Sequence, residues 1–269
     1  MLKLSMLLNH IRLIYPNLKL IVITGIMAMF LIGLISFIIT DLNHPQQYYF
    51  NKIKASNGVV LSYIRTTADN VQLQHIDTNV TETTYYGING GFFWEGALLS
   101  IAVMDDKPLI GKAGEYGSGW YNWSDGTYKR GTLVWDGMSK HFSVQLVGQA
   151  SELYVSNTRN YWAQGGVSMS LGDEANWKDQ MIYEHMPSYD EAHMRSGLVY
   201  DEQQYVYMVV TTTSCTVEQF RSAILEKLSN QKLVDGIFLD GDGSSQLQVR
   251  DARLVGDHRQ VFQMLTLKK

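Results

Sequence analysis

Near the carboxyl end, Gly236-Ile237-Phe238-Leu239-Asp240-Gly241-Asp242-Gly243-Ser244-Ser245 sets an apolar run against two carboxylates and two hydroxyls. The apolar part has the composition of a buried strand, and the glycine-rich part after it cannot continue one. Glycines let the backbone turn sharply and approach a ligand closely, and strand ends are where α/β folds bind ligands. Asp240 and Asp242 are therefore candidate acid, base or nucleophile. The amides of Gly241 and Gly243, with Ser244 and Ser245, are a candidate anion nest. The same residue types also make an ordinary turn in which Asp240 bonds its own backbone. An Asp-x-Asp pair suits an oxygen-seeking divalent cation, which the sequence neither requires nor identifies.

A second cluster, Tyr85-Tyr86-Gly87-Ile88-Asn89-Gly90-Gly91-Phe92-Phe93-Trp94-Glu95, repeats the order of apolar residues followed by glycines. Asn89 can hold a sugar hydroxyl or amide through both ends of its side chain, or simply open an Asn-Gly turn. Glycoside hydrolysis draws on two carboxyl groups, and Glu95 is a candidate distant partner for Asp240.

Asn89-Gly90-Gly91-Phe92-Phe93, Gly165-Gly166, His193-x-Arg195-Ser196 and Leu239-Asp240-Gly241-x-Gly243-Ser244 occur in one order along the chain. That order resembles the phosphodiester glycosidase family over roughly residues 55 to 250. The family's namesake activity removes N-acetylglucosamine from a sugar-phosphate diester. The resemblance implies Arg195 as the phosphate ligand, its planar fork gripping two oxygens. On residue type alone, Arg195 reads as a surface ion pair with Asp190, Glu191 or Asp201. The resemblance further implies Asp240 as acid, base or stabiliser, Asn89 as the residue that orients the sugar, and His193 as a proton shuttle. Gly90, Gly91, Phe92, Gly166, Ser196, Gly241, Gly243, Ser244 and Ser245 would line the substrate. The chain departs from the family at Asp242, where the turn Asp-Gly-Gly-Gly-Ser has its middle glycine. A carboxylate there repels a phosphate unless it is hydrated or paired.

Three other motifs are excluded. A nucleophile elbow needs Gly-x-Ser-x-Gly, but Gln246 stands where the last glycine is required. An EF-hand loop starting at Asp240 needs glycine at its sixth position, where Ser245 sits. Glu184-His185 and Glu191-x-His193 do not make His-Glu-x-x-His.

The elements that must position these residues are mostly strands. Val59–Ile64, Val71–Ile76 and Phe142–Val147 read as strands, the last two alternating apolar and polar residues. Tyr205–Val210, a helix from Thr216, and Gly236–Leu239 make a strand–helix–strand crossover with parallel strands. A capping box of Thr216 and Gln219 starts the helix, with Val217, Phe220, Ile224 and Leu228 on its apolar face and Arg221 off it. If the two strands are neighbours, Thr211–Thr213 and Asp240–Ser245 emerge at one edge.

The 269 residues allow one domain plus a membrane segment. A net charge of −4 argues against a general nucleic-acid binder. Most of the 16 Tyr and 6 Trp are expected in the core, although Trp120, Tyr121, Trp123 and Trp162 are the rings available if the protein only binds glycans. Cys215, the single cysteine, reads as a buried thiol without a catalytic partner. Asn79-Val80-Thr81 and Asn122-Trp123-Ser124 match the glycosylation pattern.

From Leu20 to Thr40 no residue is charged, enough for a bilayer-spanning helix of ~20 residues. Lys3, Arg12 and Lys19 before it favour a cytoplasmic amino end. The expected organisation is a cytoplasmic segment 1–19, a transmembrane anchor 20–40, a linker 41–55 and a domain 56–269. The fold class is α+β: a mostly β-rich single domain with a strand–helix–strand crossover, preceded by one transmembrane helix. The expected function is an extracytoplasmic hydrolase, in periplasm or cell exterior, acting on a carbohydrate or sugar-phosphate substrate. The alternative is a non-catalytic glycan-binding envelope protein of the same fold.

Overall fold

A computed structural model describes residues 18–42 and 47–269, with side chains for 20–36 and 47–269. The chain divides into an amino-terminal unit and a unit Pro45–Lys268. In the first, α1 (Leu18–Leu42) is a single helix of 25 residues, and its large apolar side chains from Leu20 to Ile35 are exposed. Among the described residues no helix is long and apolar enough to cross a membrane. The transmembrane helix expected over 20–40 is therefore not met as such. Its side chains beyond residue 36 lie outside the described residues. The expected cytoplasmic segment lies almost wholly outside the described residues.

The second unit is β-rich, as expected, and every pairing within its sheets is antiparallel. A first sheet of six strands runs in the order Tyr49–Lys54, Val60–Thr67, Tyr205–Cys215, His193–Asp201, Leu233–Phe238, Val167–Ser168. Residues 49–54, expected in a linker, are thus its edge strand, paired along their whole length with Val60–Arg65. A second sheet orders Ala252–Leu254, Leu247–Val249, Gly87–Asn89, Val261–Leu267, Val71–Thr78. A third orders His141–Val147, Arg130–Asp136, Tyr161–Gly165, Ala102–Met104, Lys107–Pro108. A small hairpin joins Phe93–Trp94 to Ala97–Leu98. One apolar cluster takes residues from all three large sheets, among them Ile64, Leu198, Ile88, Leu265, Leu133 and Trp162.

Of the other helices, α2 (Trp177–Tyr183) is short and α3 (Val217–Leu228) carries the expected capping box, both reciprocal bonds being present. Val217, Phe220, Ile224 and Leu228 are buried in one cluster with Tyr207, Val209 and Phe238, each contributing roughly 1.5–3 kcal/mol by burial. Arg221, expected off the apolar face, is buried too. It donates to the carbonyls of Met169 (3.0 Å) and Ser170 (2.9 Å) and to Glu174 (2.8 Å). A long side chain can be buried where its donors all find acceptors.

The crossover exists, but its strands are not neighbours. Tyr205–Cys215 and Leu233–Phe238 run parallel with His193–Asp201 antiparallel between them. Thr211–Thr213, expected beyond a strand ending at Val210, are part of the first of these strands, whose eleven residues run to Cys215. Burial pushes the Cys215 thiol up to about 11, which leaves it inert. Asn79 and Asn122 are buried with their side chains bonded within the domain, so neither offers an amide for glycosylation.

Candidate functional site

The inserted strand brings the chemistry together. Arg195 pairs with Thr211 on one side, Gly197 with Phe238 on the other. The start of His193–Asp201 therefore lies at the edge where Leu233–Phe238 ends, two residues before Asp240. Leu239 extends the junction by donating its amide to the carbonyl of Ser196 at 2.9 Å.

Arg195 is 4% exposed. Its Nε donates to the carbonyl of Cys215 (3.1 Å), and Nη2 to those of Ser188 and Glu191 (both 2.6 Å). None of the expected carboxylates pairs with it; Glu191 supplies only its main chain. Burial draws its pKa down, opposed by Cys215, Asp242 and Glu191, but a guanidinium stays charged. A buried cation held only by carbonyls retains most of its charge for a ligand.

Asp240 is half-buried beside it. Burial pushes its carboxyl up to about 6, opposed by the Ser244 hydroxyl, the charge of Arg259 and the Gly241 amide. Ser244 and Ser245 are buried, and neither hydroxyl has a partner of hydrogen-bonding geometry.

Asp242 occupies the left-handed region at φ 49, a conformation that Asp tolerates better than most residues. Its carboxylate meets Arg259 Nη2 at 3.2 Å and His193 Nδ1 at 3.3 Å. Although burial opposes it, those partners and the Gly243 amide hold Asp242 below the usual carboxylate range. His193 also meets Glu191 Oε2 at 3.0 Å. The Glu191 bond, and then Asp242, raise the histidine's pKa against the effect of burial.

Asn89 has no free end. It accepts from Ser196 Oγ (2.9 Å) and the Gln246 amide (3.2 Å) and donates to the carbonyls of Asp240 (2.9 Å) and Gly90 (3.2 Å). It positions the Asp240 backbone, and Ser196 orients Asn89 in turn. Gly90, Gly91 and Gly166 are packing positions. A Cβ at Gly90 would strike Gln263, one at Gly91 would strike Ser100 and Gln164, and one at Gly166 would strike the carbonyl of Phe238. Glu95 is exposed at the tip of the small hairpin and does not line the pocket. As the expected second carboxylate it is set aside: its turn points into solvent.

The pocket, a cavity of about 190 Å³, is lined by Phe92, Met186, Pro187, Ser188, His193, Arg195, Asp240, Gly241, Asp242 and Arg259. Sequence reasoning missed Arg259, whose Nε lies 3.0 and 2.9 Å from the two oxygens of Asp257. It missed Gln246 also, which donates to the carbonyls of Arg259 (2.8 Å) and Gly243 (3.2 Å). Nothing in Asp257-His258-Arg259 marks it as functional in sequence. A larger cavity at Arg65, Tyr205 and Thr66 is remote from this chemistry.

Asp240 and Asp242, the pair expected to suit a divalent cation, both line the pocket with Arg195. Arg259 already sits against the Asp242 carboxylate, and among the described residues no group of three or more His, Cys, Asp or Glu is arranged to hold a metal ion.

No protein-family model matches the chain, and no curated protein matches it. A crystal structure of a hypothetical protein from Synechocystis aligns with it at a TM-score of 0.47 and 10% identity, covering 82% of this chain. The chain spans 62% of the length of that protein.

Proposed function

We propose that the protein is a membrane-anchored, extracytoplasmic hydrolase that cleaves the glycosidic bond of a sugar-1-phosphodiester, its sugar N-acetylglucosamine-like, in an envelope or exported glycan. One observation carries this reading. A single pocket holds a buried guanidinium without a carboxylate partner and a carboxylate pushed up to about 6. The first suits a phosphate; the second suits proton transfer near neutrality.

In this mechanism Arg195 and Arg259 hold the phosphate. Ionised Asp240 takes a proton from water as the water oxygen bonds to the anomeric carbon. The bond from that carbon to the phosphate oxygen breaks, and the phosphomonoester leaves with the electron pair. Such a leaving group is stable as an anion, so acid assistance matters less, which suits a pocket where Asp242 is ion-paired and Glu95 is absent. His193, between Glu191 and Asp242, is the group at the rim suited to relay the proton outward.

Attachment to the membrane through residues 20–40 is supported by the continuous helix α1, its exposed apolar side chains and the basic residues that precede it. The glycan-binding alternative rests on the exposed rings of Trp123 and Tyr128; Trp120 and Trp162, also expected for it, are buried.

The test incubates the full chain in detergent with a methyl N-acetylglucosamine-1-phosphodiester and with UDP-N-acetylglucosamine, with and without chelator. Sugar release that Asp240→Asn abolishes while substrate binding persists supports the enzyme. Glycan binding without release by the parent chain favours the alternative. Recovery of the chain in the soluble fraction of its host, rather than with membranes, removes the anchor.

A further inference from the structure

Phe92, on the pocket wall, and Trp123 share one guanidinium. Cζ of Arg130 stands 5.1 Å from the Phe92 ring centroid and 4.7 Å from that of Trp123. Arg130 is wholly buried, its Nε and Nη2 donating to the carbonyls of Glu184 (2.9 Å) and His185 (2.7 Å). Tyr128 packs edge-on against Trp123, centroids 5.8 Å apart, and against His185 at 4.4 Å. His185 immediately precedes Met186, Pro187 and Ser188, which line the pocket. The aromatic group is thus tied to the pocket wall through Phe92 and through His185.

Trp123 is 38% exposed and Tyr128 39%, in a chain that buries four of its tryptophans. The backbone of Trp123 is left-handed, at φ 66, which a bulky residue rarely adopts and which clusters at binding sites. Its neighbours enforce that conformation. The Trp123 amide donates to the carbonyl of Leu99 at 2.8 Å. Buried Asn122 bonds the Ile101 amide, Thr132 Oγ1 and the carbonyls of Arg130 and Val147. A strained segment, anchored below, therefore holds a large ring out at the surface.

We propose that Trp123 and Tyr128 form an aromatic subsite that takes a further sugar ring of a chain-like substrate, beside the pocket that takes the phosphodiester. This rests on the hydrolase reading above. The pocket, about 190 Å³, is at the small end for a ligand site, so the rest of an extended glycan must lie outside it. The C–H face of a pyranose carries partial positive charge and suits the negative face of an aromatic ring. A nucleobase would want polar groups at its edge. The nearby Asp125 and Thr127 instead bond each other.

The test compares kcat/KM for the methyl N-acetylglucosamine-1-phosphodiester with that for the same diester carrying a two-sugar extension on the phosphate, using the full chain in detergent. The extended substrate is expected to be preferred by about tenfold. That ratio should fall towards one in Trp123→Ala and Tyr128→Ala and be retained in Trp123→Phe, with unfolding temperatures checking that each variant is folded. Equal kcat/KM for both substrates, or a ratio unmoved in both alanine variants, overturns the subsite while leaving the hydrolase standing. If neither substrate is cleaved, calorimetric binding of a β-1,4-linked N-acetylglucosamine tetrasaccharide, lost in Trp123→Ala, sustains the subsite and removes the hydrolase. No such binding overturns both. A preference for UDP-N-acetylglucosamine that disappears in Trp123→Ala replaces the sugar ring with a base and overturns the proposal.

Discussion

The carboxylate of Asp257 lies so close over Gly243 that a Cβ there would stand well under 3.0 Å from three of its atoms. That carboxylate grips Arg259, and Arg259 closes one side of the pocket. Gly243→Ala must displace Asp257 and, with it, the guanidinium. The expected outcome is a ten- to hundredfold loss of kcat/KM from misplacement of a binding group, with unfolding free energy reduced by only about 1–3 kcal/mol. Full activity in Gly243→Ala would mean that Arg259 has no part in the reaction.

Asp240 gives a pH dependence with a definite sign. Its folded pKa, about 6, lies above its ordinary 3.8. Between those values the native state binds the proton better than the unfolded chain does. Stability at this group is therefore complete below about pH 4 and declines as pH rises through 6. Asp240→Asn should raise the unfolding free energy at pH 8 by about 3 kcal/mol at most and leave it little changed at pH 4. Activity runs the other way: kcat/KM of the parent should climb as pH passes 6, since the base must be ionised. Denaturant titrations at both pH values and a pH–rate profile check the two halves separately.

In the proposed mechanism Asp242, paired with Arg259, competes with the substrate phosphate for that guanidinium. Replacing it with glycine removes that competitor and relaxes the left-handed backbone, a gain of about 1 kcal/mol. It also forfeits an exposed ion pair worth ~0–1 kcal/mol. Stability should scarcely move, whereas KM for the phosphodiester should fall several-fold. An unchanged or higher KM in Asp242→Gly would sink the idea that the phosphate reaches Arg259.

Arg195→Lys preserves charge but not the fork that engages three carbonyls. Inorganic phosphate should bind the parent chain and bind this variant at least tenfold more weakly. Calorimetric titration reads this without any turnover, and equal affinity would take Arg195 out of the phosphate site.

Local pattern made much of this visible in the sequence. Alternation marked Val71–Ile76 and Phe142–Val147, which lie within the strands Val71–Thr78 and His141–Val147, the capping box fixed where α3 starts, and the apolar run ending at Leu239 located Asp240 at a sheet edge. What escaped depends on long-range pairing. No local signal says that His193–Asp201 inserts between the two crossover strands, although this insertion is what sets Arg195 beside Asp240. Asn89 read as a ligand because its amide is polar, but its partners Ser196, Asp240 and Gln246 are distant in sequence and use up that polarity. Arg259 was silent for the same reason: its partner across the site, Asp242, is 17 residues away.

The second sheet also dictates when the pocket can exist. Strand Gly87–Asn89 finds its neighbours only in Leu247–Val249 and Val261–Leu267, and Asn89 reaches Asp240 across 151 residues. A chain emerging from the ribosome cannot complete this pairing until its last strand is available. Closing so long a loop is slow relative to local helix or hairpin formation. The site is thus a late product of folding, and a chain cut short before Val261 leaves Gly87–Asn89 without one of its two neighbours.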